Sequence, residues 1–341
     1  MTRWAKAEAN AWYAKQTWPV GANFIPSNSI NQLEMWQADT FDLVTIRREL
    51  GWAAAIGMNT MRVYLHDLLW DADREEFKSR LNQFLGAAMA LGIRTIFCIF
   101  DDCWNPGALL GKQPAPRPGI HNSGWLQSPG LAVVNNPSEW PRLERYVKEL
   151  MGVFSDDNRI LFWDLYNEPG NNGNGNNSLP LLTAVFDWAQ TVRPSQPLTV
   201  GVWFDNETLN SFQLAHSDIV TFHNYESADH LRSQIVRLRE HDRPLICTEW
   251  LRRCPGYFDD GIQRHYEHSE VQTCLPVFKE EGVGCINWGL VAGKTNTIYP
   301  WGKPGGNSEP SVWFHDLFRH DGTPYNEAEV SLYKHCTAGV G

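Results

Sequence analysis

The sequence predicts an α/β protein: one (β/α)8 TIM barrel forming a single domain over 1–341, its core at about 18–338, with long loops at the C-terminal face. Three observations carry that prediction. Short apolar runs alternate with stretches of helical periodicity, the runs are nearly continuous in apolar residues, and the long irregular segments follow strands. Continuous apolar strands are those buried on both faces, as in a parallel sheet covered by helices. Eight such units fit a closed barrel better than an open sheet. A doubly wound sheet would carry Gly-x-Gly-x-x-Gly after its first strand, and that signature is missing here.

Taken in order, the strands are expected at 20–26 (VGANFIP), 60–66 (TMRVYLH), 94–101 (RTIFCIFD) and 160–168 (ILFWDLYNE). Four more are expected at 198–204 (LTVGVWF), 219–225 (IVTFHNY), 244–250 (PLICTEW) and 284–290 (GCINWGL). Each is a run of the β-branched and aromatic residues that strands favour. Helical periodicity covers 43–56, 73–91, 138–154, 181–193, 207–214, 227–241, 269–281 and about 326–335. The irregular segments 102–137, 169–180 and 291–312 all follow strands, so a barrel gathers them at one rim, where active sites are built. Segment 102–137 is long enough for a cleft wall or lid. The Asn/Gly run at 171–178 reads equally as flexible filler or as part of that rim, and DGTPY at 321–325 reads as a turn.

Composition narrows the function. Charged residues at 20% and hydrophobic ones at 43% suit a globular protein with a large core. A formal charge of −10 argues against nucleic-acid or anionic-membrane partners, which want a positive surface. Sixteen tryptophans are more than a core needs, and indole faces suit flat, weakly polar ligands such as sugars. The seven cysteines are an odd number without zinc-type spacing, and several sit inside apolar runs, so they read as small buried hydrophobes. With neither a secretory signal nor an apolar run of membrane-spanning length, the expected setting is cytoplasmic.

Two glutamates stand at strand ends. Glu168 closes the fourth strand in NEP and Glu249 closes the seventh in CTEW. A barrel brings all strand C-termini around one mouth, so these carboxyls are expected to face each other. Glycoside hydrolysis needs such a pair, one protonated to release the leaving oxygen and one ionised to attack the anomeric carbon.

With these motifs the chain resembles the retaining glycosidases of clan A, the cellulase-like group, and particularly glycoside hydrolase family 5. The resemblance runs from about Gly21 to Trp288 and rests on NEP after strand four and the Glu ending strand seven. It implies that Glu168 is the general acid/base, Glu249 the nucleophile, and Asn167 the partner of the sugar 2-hydroxyl. It also implies that Arg62 and Tyr225 flank the nucleophile, that His223 binds ligand, and that Trp288 forms the floor under the reacting sugar. No metal or other cofactor is implied.

Physical chemistry adds expectations of its own. Arg62 keeps Glu249 ionised. Trp163 and Tyr166 desolvate Glu168 and raise its pKa. His66 shares the strand parity of Arg62 and can face the mouth, while Asp101 and Asp102, beside Trp104, are candidates for sugar hydroxyls. Trp36, Trp125, Trp203, Trp250 and Trp301 are unranked candidates for outer sugar platforms. Three departures from the family pattern stand out: CIFDDCW has no strand-three His, Arg252 and Arg253 follow TEWL, and GANFIPSNSINQLEMW lacks the usual first-strand pattern.

The expected function is retaining hydrolysis of β-linked oligosaccharides or glycosides, with transglycosylation as a variant in which a sugar replaces water. The alternatives are a non-catalytic carbohydrate-binding protein on the same scaffold and a metal-dependent hydrolase using His66, Asp101, His223 and Asp205. The last needs a ligand cluster, and the first strand has no histidine.

Overall fold

All eight predicted strands form, and they pair in parallel around a barrel. The computed structural model describes residues 3–254, 268–302, 306 and 308–338. The chain enters through α1 (Lys6–Tyr13), then runs β1 (Val20–Asn23), α2 (Gln32–Trp36), α3 (Leu43–Ala55), β2 (Thr60–Tyr64) and α4 (Asp67–Met89). It continues through β3 (Arg94–Asp101), α5 (Leu131–Val134), α6 (Trp140–Val153), β4 (Ile160–Asn167), α7 (Leu179–Val192) and β5 (Leu198–Thr199). The remaining elements are α8 (Glu207–His216), β6 (Val220–His223), α9 (Ala228–Arg239), β7 (Leu245–Glu249), α10 (Val271–Glu280), β8 (Gly284–Trp288) and α11 (Glu327–Thr337).

The strand order β5-β4-β3-β2-β1-β8-β7-β6 leaves one seam, between β5 and β6. That seam is closed by a parallel bridge from Val202 to Phe222, with Val202 N donating to Thr221 O and His223 N to Val202 O, both at 3.0 Å. The fifth strand is shorter than predicted because the Ser217 hydroxyl, not a strand carbonyl, takes the Val200 N–H at 3.1 Å. Strands β1 and β2 approach so closely that a Cβ on Gly21 would lie 1.6 Å from Thr60 O, so only glycine fits there.

The strands bury every residue except Arg94, which is half-buried, as the apolar runs require. Most of the core lies between sheet and helices, where Trp36, Phe77 and Phe84 pack edge to face beneath β1 and β2. A second cluster fills the N-terminal end of the barrel, where Ile96, Phe162, Ile246 and Ile286 meet Ala9, Trp4 and Trp12. Helix α1 and the residues before it therefore plug that end, an element the periodicity did not reveal. Helix α4 starts earlier than predicted: the His66 imidazole caps it by accepting from Leu68 N, and a kink at Asp73 separates the extra turn from the predicted helix. Among the described residues no helix is long and apolar enough to cross a membrane.

Candidate active site

The C-terminal ends of β2, β4, β6, β7 and β8 converge on one group of side chains. Successive strand residues face opposite sides, so Arg62 and Tyr64 of β2 enter the mouth together. The same rule would send Asn167 and Glu168 apart. It is broken because Glu168 takes a left-handed backbone with φ of 45°, which turns its carboxyl back over the barrel beside Asn167. On β6 a register shift between Phe222 and His223 sets His223 opposite Glu249.

Glu249 is almost fully buried and accepts from three donors. Arg62 Nη1 at 2.9 Å and the Tyr64 hydroxyl at 2.8 Å reach Oε1, and the Tyr225 hydroxyl reaches Oε2 at 2.8 Å. Burial pushes both tyrosines well above the ordinary phenol range, assisted by the charge of Glu249, so they remain donors. Arg62 has no exposed surface. Its guanidinium also donates to Asp164 Oδ2 at 2.9 Å, Asn23 Oδ1 at 2.8 Å, Asn167 Oδ1 at 2.7 Å and the Tyr64 oxygen. Burial opposes the charge, but these anionic and polar partners hold Arg62 protonated, well above its ordinary value. The result is a carboxylate whose lone pairs are fixed by preorganised donors.

Glu168 sits across a short gap. One oxygen of each glutamate and a ring nitrogen of His223 all lie within 4.8 Å of one another. His223 Nδ1 is 2.8 Å from Glu168 Oε1 and 3.5 Å from Glu249 Oε2. The other oxygen of Glu168 accepts from Asn171 Nδ2 at 2.6 Å and the Cys103 thiol at 3.2 Å. Burial raises the pKa of Glu168, but the His223 hydrogen bond and charge, followed by Cys103 and Asn171, outweigh it and hold the carboxyl below its ordinary value. This corrects the expected upward shift. Trp163 and Tyr166 are packed in the core against Phe97 and Phe100, and the partner that outweighs burial, His223, comes from another strand.

The family model of the cellulases, glycosyl hydrolase family 5, matches residues 27–293. The chain belongs to glycoside hydrolase family 5. This family 5 chain also resembles solved structures at low identity. A GH5_18 protein of Streptomyces cattleya, in complex with Manb1-4GlcNAc, aligns at TM-score 0.61 and 13% identity over 94% of this chain and 79% of its own. An exo-beta-1,4-mannosidase from Opitutaceae bacterium strain TAV5 aligns at 0.62 and 17%, over 95% and 60%. The endo-beta-1,4-mannanase of Thermotoga petrophila aligns at 0.57 and 13%, over 95% and 77%. No curated protein matches the chain in sequence.

Within this family 5 fold several predicted ligands have other tasks. Asp102 accepts from Tyr166 at 2.6 Å, Ser178 at 2.5 Å and Gly170 N at 2.8 Å, so it pins the segment after β4 instead of facing sugar. Asp101 accepts from Asn167 Nδ2 at 3.0 Å and Trp125 Nε1 at 2.7 Å, and burial pushes it up to about 7. His66 is fully buried as the cap of α4. Trp36 and Trp250 are core residues, Trp36 donating to Tyr64 O at 2.9 Å and Trp250 packed on Phe278. Trp203 stays half-exposed on the rim, bonded to Pro169 O at 3.2 Å.

Trp288 does line the mouth, edge to face with Tyr64 and Trp125 at 5.7 and 5.6 Å. Trp104 stacks on His121 beside it, at 5.3 Å. The set His66, Asp101, His223 and Asp205 is not assembled: among the described residues the group close enough to share an ion is Glu168, His223 and Glu249. The stretch CIFDDCW, which offers no His, brings the Cys103 thiol to Glu168. Arg253 forms a buried bidentate pair with Glu329 at 2.9 and 2.6 Å, and Arg252 pairs with Glu226 at 3.3 Å. Sequence reasoning missed Tyr64, Cys103 and Asn171. Tyr64 shares the parity of Arg62 and was open to discovery, whereas the other two sit on loops.

Proposed function

We propose that this chain is a retaining β-glycoside hydrolase, one catalytic domain acting on β-linked oligosaccharides or glycosides by double displacement. Glu249 attacks the anomeric carbon and forms a glycosyl ester. Glu168 gives a proton to the departing oxygen, then takes one from the water that hydrolyses the ester. The observation that carries this reading is that one oxygen of each carboxylate lies within 4.8 Å of the other, one group fixed by three donors and the other bonded to His223. Retaining enzymes hold this pair at about 5–5.5 Å.

Glu168 does not wait as an isolated neutral acid. It lies in 2.8 Å contact with His223 Nδ1, and a sugar that excludes water favours the protonated form of the carboxyl. Asn167, held between Arg62 and Asp101, is oriented toward a 2-hydroxyl. Trp288 supplies the apolar face for the ring, and a carbohydrate is the partner.

Glu249→Ala should reduce hydrolysis of aryl β-glycosides by at least about 10³-fold, and added azide should restore turnover with an α-glycosyl azide as product. Wild-type rates in Glu249→Ala would refute the assignment. The substrate panel should include β-D-mannosides, since several structural neighbours carry mannose-directed names.

A further inference from the structure

The loops at the barrel mouth are unequal, and three of them are knitted into one wall. The loop after β3 binds the loop after β8 through Asn122 N to Thr295 O at 2.8 Å, His121 Nδ1 to Tyr299 O at 2.8 Å and Asn296 Nδ2 to Arg117 O at 2.9 Å. Both are seated on the segment after β1: Lys294 N donates to Ser27 O at 3.0 Å, and Asn31 Nδ2 to Gly124 O at 2.9 Å. Arg253 braces the wall from behind by donating to His315 O and Asp316 O, each at 2.8 Å. The wall reaches the nucleophile, because Trp301 meets the ring of Tyr225 edge to face at 4.8 Å and Tyr225 bonds Glu249. On the far side, β4, β5 and β6 are followed by the shorter connections 168–178, 200–206 and 224–227.

The walled sector holds a polar recess. A small cavity of about 20 Å³, room for one water-sized group such as a hydroxyl, is lined by Tyr64, Trp288, Asn122, Thr297 and Asp316, among others, and by none of the hydrogen-bond partners of Glu168. Asn122 is 1% exposed, yet neither its amide nitrogen nor its amide oxygen has a partner. A buried amide with both groups unmatched is costly unless an ordered water or a ligand hydroxyl satisfies it.

We infer that the enzyme works from the chain end, releasing one sugar from the non-reducing terminus, with Asn122 receiving a hydroxyl of that sugar. The inference rests on the hydrolase reading above. Glu168 protonates the leaving oxygen, so the leaving group lies on the side of β4, over the short connections. The sugar that stays on Glu249 lies over Trp288, against the wall, where the described loops oppose a longer chain. Asn122 is a specificity-determining residue in this scheme, since a site built to hydrogen-bond a hydroxyl discriminates against ligands that cannot supply it.

The test compares two substrates with the intact protein. p-Nitrophenyl β-glycosides of glucose, mannose, xylose and galactose identify the sugar. The β-1,4-linked p-nitrophenyl trisaccharide of that sugar is then offered free or methylated at its terminal 4-hydroxyl. Methylation should lower kcat/KM by about 10²-fold or more, and the earliest product from the free trisaccharide should be monosaccharide. Cleavage of the capped trisaccharide within a few-fold of the free one overturns the inference and leaves the hydrolase reading standing. Failure to cleave any uncapped substrate removes both. Asn122→Leu, similar in volume, should lower kcat/KM on the monoglycoside by about 10- to 100-fold with an unchanged circular dichroism spectrum. An unchanged kcat/KM in that variant removes Asn122 from the scheme.

Discussion

Tyr64 shows how much one hydroxyl settles in this site. It accepts from Arg62, donates to Glu249 and packs edge to face on Trp125 and Trp288. Removing it leaves the Arg62 charge in place but deletes one of three donors on the proposed nucleophile. Removing a preorganised donor of this kind costs on the order of 10²-fold in turnover. Tyr64→Phe should therefore lower kcat on aryl β-glycosides by roughly that factor with little change in thermal midpoint, as the phenyl ring keeps its packing. A kcat within twofold of wild type would show that Arg62 and Tyr225 suffice.

At the scale of elements, the segment between β8 and α11 is what shapes the mouth. Among its described residues it carries no regular helix, and it is held by Arg253, whose guanidinium pairs with Glu329 of α11 and donates to the carbonyls of Trp313, His315 and Asp316. Breaking a buried ion pair by deleting one partner strands the other charge, at a cost of about 3–5 kcal/mol. Glu329→Gln should lower the denaturant midpoint accordingly. Arg253→Met should lower it too and, in addition, reduce kcat/KM, because the wall loses its brace. Equal midpoints for Glu329→Gln and wild type in guanidinium unfolding would contradict this account.

At the scale of the whole molecule, several buried carboxyls share one direction of shift. Burial pushes Asp101 up to about 7 and Asp316 up to about 6, and it also raises Asp102, Asp164 and Glu49. For a carboxyl whose folded pKa exceeds its unfolded value of about 3.9, the folded state binds the proton more tightly. The stability it contributes is complete below about pH 4 and is lost as pH rises through the folded value. The loss runs from about pH 4 to about 7 for Asp101 and to about 6 for Asp316, at no more than about 1.4 kcal/mol per pH unit for each group. A formal charge of −10 adds repulsion in the same direction. Thermal midpoints at constant ionic strength should fall between pH 5 and pH 8. The fall should be shallower in Asp101→Asn, whose side chain does not titrate, and identical slopes would rule out Asp101 as a contributor.

The sequence by itself determined the barrel and its polarity. Eight apolar runs, each too short and too continuous for a surface helix, force parallel burial, and long segments after strands mark the functional face. It also placed Glu168, Glu249, Asn167, His223, Tyr225 and Trp288 at or near strand ends and Arg62 on the second strand, where the fold gathers them. Helix α1 escaped because its amphipathic signal is weak, and its apolar side chains meet a barrel end that does not exist until the strands close. Only the tertiary structure decided what each polar group faces. The sign of the Glu168 shift came from a histidine on another strand, and the task of Asp102 came from a serine in the next loop. The knitted wall came from backbone hydrogen bonds between loops remote in sequence. Periodicity records burial along a chain, whereas electrostatics depends on distances between segments that only folding sets.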